Sequence, residues 1–444
     1  MPKRRTNSSW RVFYTAILLA AAGFLLAQYS LRRETPVYPA LPKSVDVIVL
    51  GSGLTGAAVV HAASQWGVDV FYIDLGEPDA GGFPAFSPAY WAAETQAQKD
   101  ADIEYSAENM ALDLYNQGGE AGNISLILRF SAESGSHLAW LEEVTDTEFT
   151  ISEVPNDNPG LHSPAGAAAE NVVMPALTAD LTRLTTRYSQ SVKPQRLLLD
   201  EDGIFGMTVQ NESGEQEDIY TRSVVLADGG YASSPDMLAE YAGITDTVSR
   251  PEGGHNGLGL QLALEAGAST LHLNRASVMP VFLPEGRRID ETTLTEAILL
   301  GAGGDPVLPA DSLTETIRAA GGRLFILYGD NNAPENSNFT RIDSLGALAA
   351  GLGIGREKAE EMTAGIDPPY HVAVAGLIAL TPGGLVVDEQ YRVMRQETPI
   401  PGLYAAGEIT AGLHGQESIA ALSFSEGVIS GRIAGGEAAG WARR

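Results

Sequence analysis

The chain has 444 residues, 44% of them hydrophobic, and its 56 acidic against 28 basic residues give a formal net charge of -28. A chain of this size can bury a large core and is expected to form two domains, while its negative charge argues against nucleic acid as a partner. There is no cysteine, which excludes disulfides, thiolate metal sites, cysteine nucleophiles and a lipoprotein anchor, and we predict no metal site.

The N-terminal segment, residues 1–35, is predicted to enter a membrane. Basic residues precede an apolar run from Val12 to about Ala27, and Arg32 and Arg33 follow it. The run is just shorter than the roughly 20 residues of a bilayer helix, and its basic flanks are typical of export signals. We expect an uncleaved transmembrane signal anchor that holds the body outside the cytoplasm, on the periplasmic side. A cleaved signal peptide that leaves a secreted protein, and a buried helix of a soluble protein, are the alternatives.

A dinucleotide-binding pattern follows a proline-containing linker. An apolar run, Val47 to Leu50, precedes the glycine-rich stretch Gly51 to Gly56, a helical segment then extends to about Trp66, and a second apolar run, Val68 to Ile73, ends at Asp74. Strand, G-x-G-x-x-G turn, helix, strand and acid in this order are typical of a dinucleotide site. The terminal aspartate is predicted to hold ribose hydroxyls.

Each glycine of this pattern has a physical role. Gly51 permits the tight turn after the strand, Gly53 lets backbone amides approach a pyrophosphate, and Gly56 lets the helix pack on the strand. The first helical turn, with Leu54 and Thr55, attracts phosphate groups because helix N-termini carry partial positive charge.

Later segments predict further strands of the same sheet. The strand-like stretches are Arg196–Leu199, Gly206–Gln210 and Asp218–Val225. The last of them runs into the small residues around Asp228 and Gly229, and the stretch Gly402 to Glu408 ends in the same manner before a helix predicted from about Ser423 to Gly435. Small residues after a buried strand let backbone pass close to a ligand. A sheet completed by such distant segments favours an elongated cofactor that both ends of the chain hold.

The chain from about Ser44 to Gly435 resembles the FAD-dependent superfamily of fumarate reductases, succinate dehydrogenase flavoproteins and 3-ketosteroid dehydrogenases. The stretches that carry the resemblance are VIVLGSGLTG, GGFPAFSPAYWAAETQAQKDADIEYSAENM, SHLAWLEE, VVLADGGYASSPDMLAEY, GLGLQLALEAGA, PGGLVVDEQYRV, IPGLYAAGEITAGLHG and SGRIAG. The resemblance implies an α/β fold in which a Rossmann-like FAD-binding domain, built from residues 44–250 and 371–440, is interrupted by an α+β capping domain, residues 251–370. It also implies FAD as the cofactor, and noncovalent binding, because no histidine attachment motif is visible.

The resemblance assigns cofactor contacts by position. Glu408 is expected to bind the ribityl chain or ribose, Ser423 and Phe424 to lie beside the flavin ring, and the stretch Gly81 to Phe83 to lie near the pyrophosphate and flavin. The complete predicted cofactor set is Gly51, Gly53, Leu54, Thr55, Gly56, Asp74, Gly81, Gly82, Phe83, Asp228, Gly229, Gly407, Glu408, Ser423 and Phe424.

The substrate motifs of the fumarate-reducing relatives are altered in this chain. Their His-His-Thr-Met-Gly-Gly stands here as the stretch Ala379 to Gly384 (ALTPGG), and their Phe-His-Pro as Val278 to Pro280 (VMP). Their His-Gly-x-Asn-Arg is the stretch His414 to Ser418 (HGQES), and the segment from Leu300 to Ala310 contains no arginine. Two carboxylates leaving water need cationic partners. We therefore expect an uncharged substrate, such as an enone or a ring ketone, instead of a dicarboxylate.

Two residues are candidates for the proton transfer that accompanies hydride transfer. Tyr370 aligns with an aromatic position at which steroid dehydrogenases place a catalytic tyrosine, although a packing role is the alternative. Glu417 is a second candidate, because a carboxylate on the flavin-side loop can act as a base if desolvation raises its pKa. His414 is expected to support that loop, and His255 and His371 are expected to be solvated or structurally bonded.

The sequence therefore predicts a membrane-anchored FAD-binding oxidoreductase that performs hydride transfer on a small, non-dicarboxylate substrate. Its electron partner is expected to be a separate redox protein or a quinone, because the chain has no heme-binding Cys-x-x-Cys-His motif. The alternative is a catalytically inactive flavin protein that serves as an electron carrier or as a subunit of a complex.

Overall fold

Two large β-sheets organise the residues that the computed structural model describes, which are 41–444 without Ser52, 76–86, 153–157, 246–247, 249–254, 285, 290–293, 295, 335–337 and 365. The strands are β1 (Val47–Gly51), β2 (Val70–Asp74), β3 (Tyr90–Trp91), β4 (Phe149–Ile151), β5 (Leu161–Pro164), β6 (Arg187–Ser189), β7 (Lys193–Asp200), β8 (Gly203–Gln210), β9 (Gln216–Tyr220), β10 (Ser223–Ala227), β11 (Thr270–Leu271), β12 (Ser277–Leu283), β13 (Arg287–Arg288), β14 (Ile298–Leu300), β15 (Arg323–Gly329), β16 (Thr340–Ile342), β17 (Tyr370–Leu380), β18 (Gly384–Val386), β19 (Arg392–Arg395), β20 (Thr398–Ala405) and β21 (Thr410–Ala411). The helices are α1 (Gly53–Ser64), α2 (Gln96–Asp100), α3 (Ala107–Gln117), α4 (Ile124–Thr145), α5 (Ala169–Ala179), α6 (Leu181–Leu184), α7 (Pro235–Met237), α8 (Leu258–Glu265), α9 (Leu313–Ala319), α10 (Leu345–Leu352), α11 (Arg356–Met362) and α12 (Ser423–Ala442), with a π-helical turn at Leu238–Ala242 and 3-10 turns at Gly407–Ile409 and Ala420–Leu422.

The first large sheet joins both ends of the described chain. Its six strands run in the order β19-β20-β10-β1-β2-β6. β1 pairs in parallel with β2 and with β10, and β10 pairs in parallel with β20. All residues of β1 and β10 are buried, as expected for apolar parallel strands covered on both faces. The α/β class of the fold, with one sheet built from distant segments, is therefore confirmed.

The last helix packs closely on the first because glycines face the contact. A Cβ atom at Gly435 would lie 2.5 Å from the carbonyl oxygen of Val59, and one at Gly431 would lie 2.9 Å from the carbonyl oxygen of Thr55. α1 is buried along nearly all of its length, as expected for a helix whose apolar residues lie on all of its sides. The contact brings the start of α12 beside the turn that follows β1.

The second large sheet is built around β17. This strand pairs antiparallel with β12 on one side and β15 on the other, and β13 and β14 form the edges. One core cluster of this sheet includes Phe282, Leu324, Ile326 and Leu377. The predicted boundary at residue 370 falls at the first residue of β17, and Pro42–Arg444 forms one compact unit by its internal contacts, so the division into FAD-binding and capping domains stays a prediction.

Three further sheets have three strands each, in the orders β3-β5-β4, β7-β8-β9 and β11-β18-β21. The predicted strand from Asp218 to Val225 is in fact two strands that belong to different sheets, since β9 pairs with β8 and β10 with β1. Thr221 makes the turn between them, with its hydroxyl donating to the carbonyl oxygens of Asp46 and Ser223. The last helix also continues beyond the predicted end at Gly435.

The predicted membrane segment, residues 1–35, lies outside the described residues. None of the helices in the described part combines the length and the hydropathy that a membrane-spanning helix requires.

Candidate functional site

The turn between β1 and α1 has the shape that the glycine pattern predicts. β1 ends at Gly51, and a Cβ atom there would lie 2.8 Å from the carbonyl oxygen of Ala227 on β10. Gly53 has a φ of 63°, in the left-handed region that favours glycine, and it begins α1. Backbone amides at a helix N-terminus with no side chain in the way are suited to binding phosphate. These residues therefore fit the pyrophosphate of a dinucleotide.

The rest of the pattern packs this turn against the C-terminal segments. A Cβ atom at Gly56 would lie 2.6 Å from the Tyr72 hydroxyl on β2, which explains the requirement for glycine. The Thr55 hydroxyl would lie 2.7 Å from a Cβ atom at Gly407 and 2.9 Å from one at Gly427. The two glycine-rich stretches at opposite ends of the chain are thus in direct contact. Leu54 is buried beside Gly427, so its side chain has a packing role.

Asp74 lies at the end of β2, opposite Gly51 in the strand register. Its Oδ2 accepts hydrogen bonds from the Tyr188 hydroxyl at 2.7 Å and from the Gln190 amide at 3.2 Å. Burial raises the pKa of Tyr188, and the bond to Asp74 raises it further, so Tyr188 is a donor at neutral pH. These partners orient the carboxylate at the sheet edge where a ribose is expected. Tyr188 lies in β6 and Gln190 directly follows that strand. Nothing in the sequence around Asp74 indicates either partner.

Glu408 lies in the 3-10 turn after β20, and two residues from other segments hold its carboxylate. The Thr381 amide and hydroxyl donate to its Oε1 at 3.0 and 2.9 Å. His255 Nδ1 lies 3.4 Å from its Oε2. The neighbouring Gly407 has a φ of 73°, and its amide donates to the Ser430 hydroxyl on α12 at 2.9 Å. Thr381, His255 and Ser430 are not in the predicted cofactor set, because each reaches Glu408 or Gly407 from a distant segment.

Asp228 follows β10 and is 1% exposed. Its Oδ2 accepts a hydrogen bond from the Gly259 amide at 2.8 Å, while its Oδ1 has no hydrogen-bond partner among the described residues. Burial raises the pKa of Asp228 to about 6, although the Gly259 amide and His255 oppose the rise. The following residue, Gly229, has a φ of 80°, and a Cβ atom there would overlap the His255 ring.

The start of α12, where Ser423 and Phe424 lie, packs against the short strand β3 through Phe424 and Ser425. Phe424 is fully buried and meets the Tyr90 ring edge to face, with centroids 5.3 Å apart. The amide of Trp91 donates to the Ser425 hydroxyl at 2.6 Å. No local pattern in the sequence predicts that Tyr90 and Phe424 pack together. Gly81, Gly82 and Phe83 lie outside the described residues.

The substrate-side positions predicted from the altered motifs do come together. β12 and β17 place Val278 opposite Ala379, and Met279 packs with Ile378, Leu380 and Ala420 in one apolar cluster. Ala420 follows the loop that contains residues 412–418 by only two positions, so this cluster adjoins the loop. Met279 and Leu380, two positions at which the resemblance to fumarate reductases implies histidines, thus belong to one apolar cluster.

The 412–418 loop carries Glu417, which is exposed. The protein itself therefore does not supply the desolvation that its predicted role as a base requires, and its catalytic assignment stays a prediction. Arg275 reaches this loop, with its guanidinium 3.4 Å from the Gln416 side-chain oxygen. Arg287 instead pairs with Glu170 at 2.6 Å.

Tyr370 lies in a core cluster of the second sheet and not near these groups. It is 2% exposed and packs with Leu300, Leu327 and Leu348, and it begins β17, whose other end leads to Thr381. An extended strand rises about 3.3 Å per residue, so the two ends of this 11-residue strand are about 30 Å apart. The structure therefore supports the packing role of Tyr370 and argues against its predicted catalytic role.

His371, next to it, pairs with Asp330 at 3.1 Å, as a structurally bonded histidine. Among the described residues, no group of three or more His, Asp or Glu side chains could hold a metal ion.

Known proteins resemble this chain over most of its length. An NADH:fumarate oxidoreductase of Klebsiella pneumoniae is 24% identical over 471 residues, which cover 95% of this chain and 50% of that protein. This chain therefore spans half the length of that relative.

Solved structures share the fold. The open conformation of a flavocytochrome c3 fumarate reductase superposes with a TM-score of 0.74 at 20% identity, covering 94% of this chain and 81% of the other. The 3-ketosteroid-Δ4-(5α)-dehydrogenase from Rhodococcus jostii RHA1, in complex with 4-androstene-3,17-dione, superposes with a TM-score of 0.61 at 20% identity, covering 92% of this chain and 99% of the other.

A family model described as the FAD binding domain matches residues 46–314 and 329–423, which is more than half of the chain. The prediction of FAD as cofactor is confirmed by this match and agrees with the glycine turn, Asp74 and Glu408 described above. The protein therefore belongs to the FAD binding domain family.

Proposed function

We propose that this protein is a membrane-anchored oxidoreductase that transfers hydride between a substrate carbon and noncovalently bound FAD, and that its substrate is an uncharged enone or ketone. One observation carries the substrate class. Met279 and Leu380 pack with Ala420 in an apolar cluster beside the 412–418 loop, at positions where the resemblance to fumarate reductases implies histidines. A dicarboxylate moved against this cluster would lose the hydration of two charges without gaining charged partners from the cluster itself.

The chain's own residues would hold the cofactor at defined points. The turn after β1 would bind the pyrophosphate, Asp74 the ribose, and Glu408 the ribityl chain or ribose. FAD, when bound, supplies the centre that accepts or gives hydride. Thr381 and His255 keep the Glu408 carboxylate in place, and the apolar cluster keeps water away from the substrate face.

We assign the proton transfer to Glu417, the carboxylate of the 412–418 loop. A bound substrate that covers this exposed side chain would supply the desolvation that the protein alone does not. A Glu417→Gln variant is expected to lower the turnover rate by about a hundredfold, with FAD retention unchanged. The exposed Glu397→Gln is the matched control, and equal turnover of both variants would remove Glu417 from the mechanism.

The membrane segment and the electron partner belong to the same proposal. Residues 1–35 would anchor the protein with its body on the periplasmic side, and a cleaved signal is the alternative. The electrons would come from or pass to a separate redox protein or a quinone. The Klebsiella pneumoniae relative is named for its use of NADH, but this chain spans half of that protein, and its cysteine-free sequence carries no heme attachment motif.

A substrate screen tests the proposal. The purified holoprotein is reduced without oxygen, and uncharged enones, ring ketones and dicarboxylates are added separately while the return of the flavin absorbance is followed. The proposal predicts reoxidation by members of the uncharged classes; 4-androstene-3,17-dione is a suitable first compound because it is bound in a solved structure of the same fold. If no compound reoxidises the flavin but a redox protein or quinone does, the protein is an electron carrier and the enzymatic proposal fails.

A further inference from the structure

One imidazole ring joins the two ends of the segment that carries Glu417 and Ser418. His414 Nε2 lies 3.0 Å from Glu426 Oε2, and the Ile419 amide lies 3.1 Å from His414 Nδ1. A backbone amide can only donate, so Nδ1 is the acceptor and the ring hydrogen is on Nε2, which donates to Glu426. The segment begins at His414 itself, and the His414 ring also holds the end of the segment through the Ile419 amide.

The partner of this imidazole is a deeply buried carboxylate. Glu426 is 2% exposed and His414 is 6% exposed, and Glu426 Oε1 has no hydrogen-bond partner among the described residues. A buried carboxylate is costly unless it is paired. The bond from His414 therefore strongly favours a single position of the ring.

The opposite side of the loop is held by main-chain contacts. The Asn123 amide donates to the carbonyl oxygen of Gly412 at 2.8 Å, and the Gln416 amide donates to that of Gly118 at 3.1 Å. These contacts tie the loop to the turn between α3 and α4. Among the hydrogen bonds of the described residues, the one between His414 and Glu426 is the only one that joins a side chain of this loop to α12. Glu426 lies less than one helical turn after Ser423, the first residue of α12.

We propose that His414 is a positioning residue that acts through Glu426 and fixes Glu417 and Ser418 relative to the first turn of α12. The role of this loop toward the substrate, with Glu417 as the proton-transferring residue, rests on the proposed function. His414 acts on the reaction through the loop, without contact with the substrate.

A single spin label can report how firmly the loop is held. The chain has no cysteine, so an introduced cysteine is the only thiol that the label can modify. The exposed Glu417 is replaced by cysteine in the full-length holoprotein and labelled, and the mobility of the label is recorded. The same label is then read in His414→Ala and His414→Gln backgrounds. The matched control is His162→Gln, because His162 is also a buried histidine with bonds at both ring nitrogens, to Thr95 and to the Gly160 carbonyl oxygen.

The proposal predicts a mobile label in the His414→Ala background and a wild-type signal in His162→Gln. The glutamine variant is expected to restore much of the immobilisation, because its amide can still donate to Glu426. Hydrogen exchange in the unlabelled His414→Ala protein should rise about tenfold to a hundredfold at the amides of residues 415–419. An unchanged label and unchanged exchange, together with a lower melting temperature, would show a structural role only and overturn the proposal.

The two proposals fail separately. Label mobility and hydrogen exchange report the loop whatever the substrate is, so a mobilised loop with no substrate found would support the positioning role and count against the proposed function. A loop that stays immobile in the His414→Ala protein while enones reoxidise the flavin would support the proposed function and count against the positioning role of His414.

Discussion

Asp228 is the residue with the clearest electrostatic consequence. Its carboxyl group is buried, and burial raises its pKa from the ordinary 3.8 to about 6. The folded protein therefore binds this proton more tightly than the unfolded chain, so folding stability falls as the pH rises between these two values. The difference corresponds to about 3 kcal/mol of stability that is present at acid pH and absent above pH 6.

An Asp228→Asn variant is expected to escape this loss. Its side-chain oxygen can still accept the hydrogen bond from the Gly259 amide, but it has no charge to bury. Relative to wild type, the variant should gain up to about 3 kcal/mol in the free energy of unfolding between about pH 4 and pH 7.5. Urea unfolding at both pH values measures this, with the exposed Asp311→Asn as the control. A stability difference that does not change with pH would show that Asp228 titrates normally.

The residues of the site could be predicted from the sequence more readily than their partners. Gly51, Gly53 and Asp74 belong to a contiguous pattern with a known physical purpose. The hydrogen bond from Thr381 to Glu408 joins residues 27 positions apart, and no local pattern encodes it. Tyr370 is the reverse case, since an aligned position suggested chemistry while the side chain packs in a core cluster, as in the packing alternative.

At the scale of elements, the contact between α12 and α1 joins the two ends of the cofactor site. The sequence predicted both helices, but it did not show that glycines of α12 face α1. The same limit explains why Asp218 to Val225 was predicted as one strand. Its apolar pattern is continuous, and only the turn at Thr221 assigns its two parts to different sheets.

Two glycines on α12 allow a matched test of this contact. A Cβ atom at Gly435 would lie 2.5 Å from the Val59 carbonyl oxygen, whereas one at Gly436 would lie 3.6 Å from the Trp66 ring. Gly435→Ala is expected to lose about 1–3 kcal/mol of stability by overpacking and to weaken FAD retention. Gly436→Ala is expected to be neutral or to gain up to about 1 kcal/mol, because alanine is the better helix former. Thermal unfolding and FAD titration measure both, and equal behaviour of the two variants would contradict the close contact.

For the whole molecule, we predict that the described residues fold without the help of residues 1–35. The N-terminal strand of the first large sheet begins at Val47, so deletion of the first 35 residues is expected to leave a folded, FAD-loaded protein that no longer fractionates with membranes. Cell fractionation and release of the flavin by heat measure these two outcomes. Misfolding of the shortened chain would show that the apolar N-terminal run belongs to the core.

If both ends of the chain build one FAD site whose substrate face is uncharged, an uncharged enone reoxidises the reduced holoprotein faster than fumarate does. Fumarate and an uncharged enone are compared at equal concentrations without oxygen, with full-length protein and the Arg275→Gln variant. The loss of one donor that stabilises a transition state typically costs about a hundredfold to a thousandfold in rate, so fumarate is expected to react at least a hundredfold more slowly than the enone. Rapid reoxidation by fumarate that is lost in Arg275→Gln would show that this arginine supplies the missing cation, and it would contradict an uncharged substrate face.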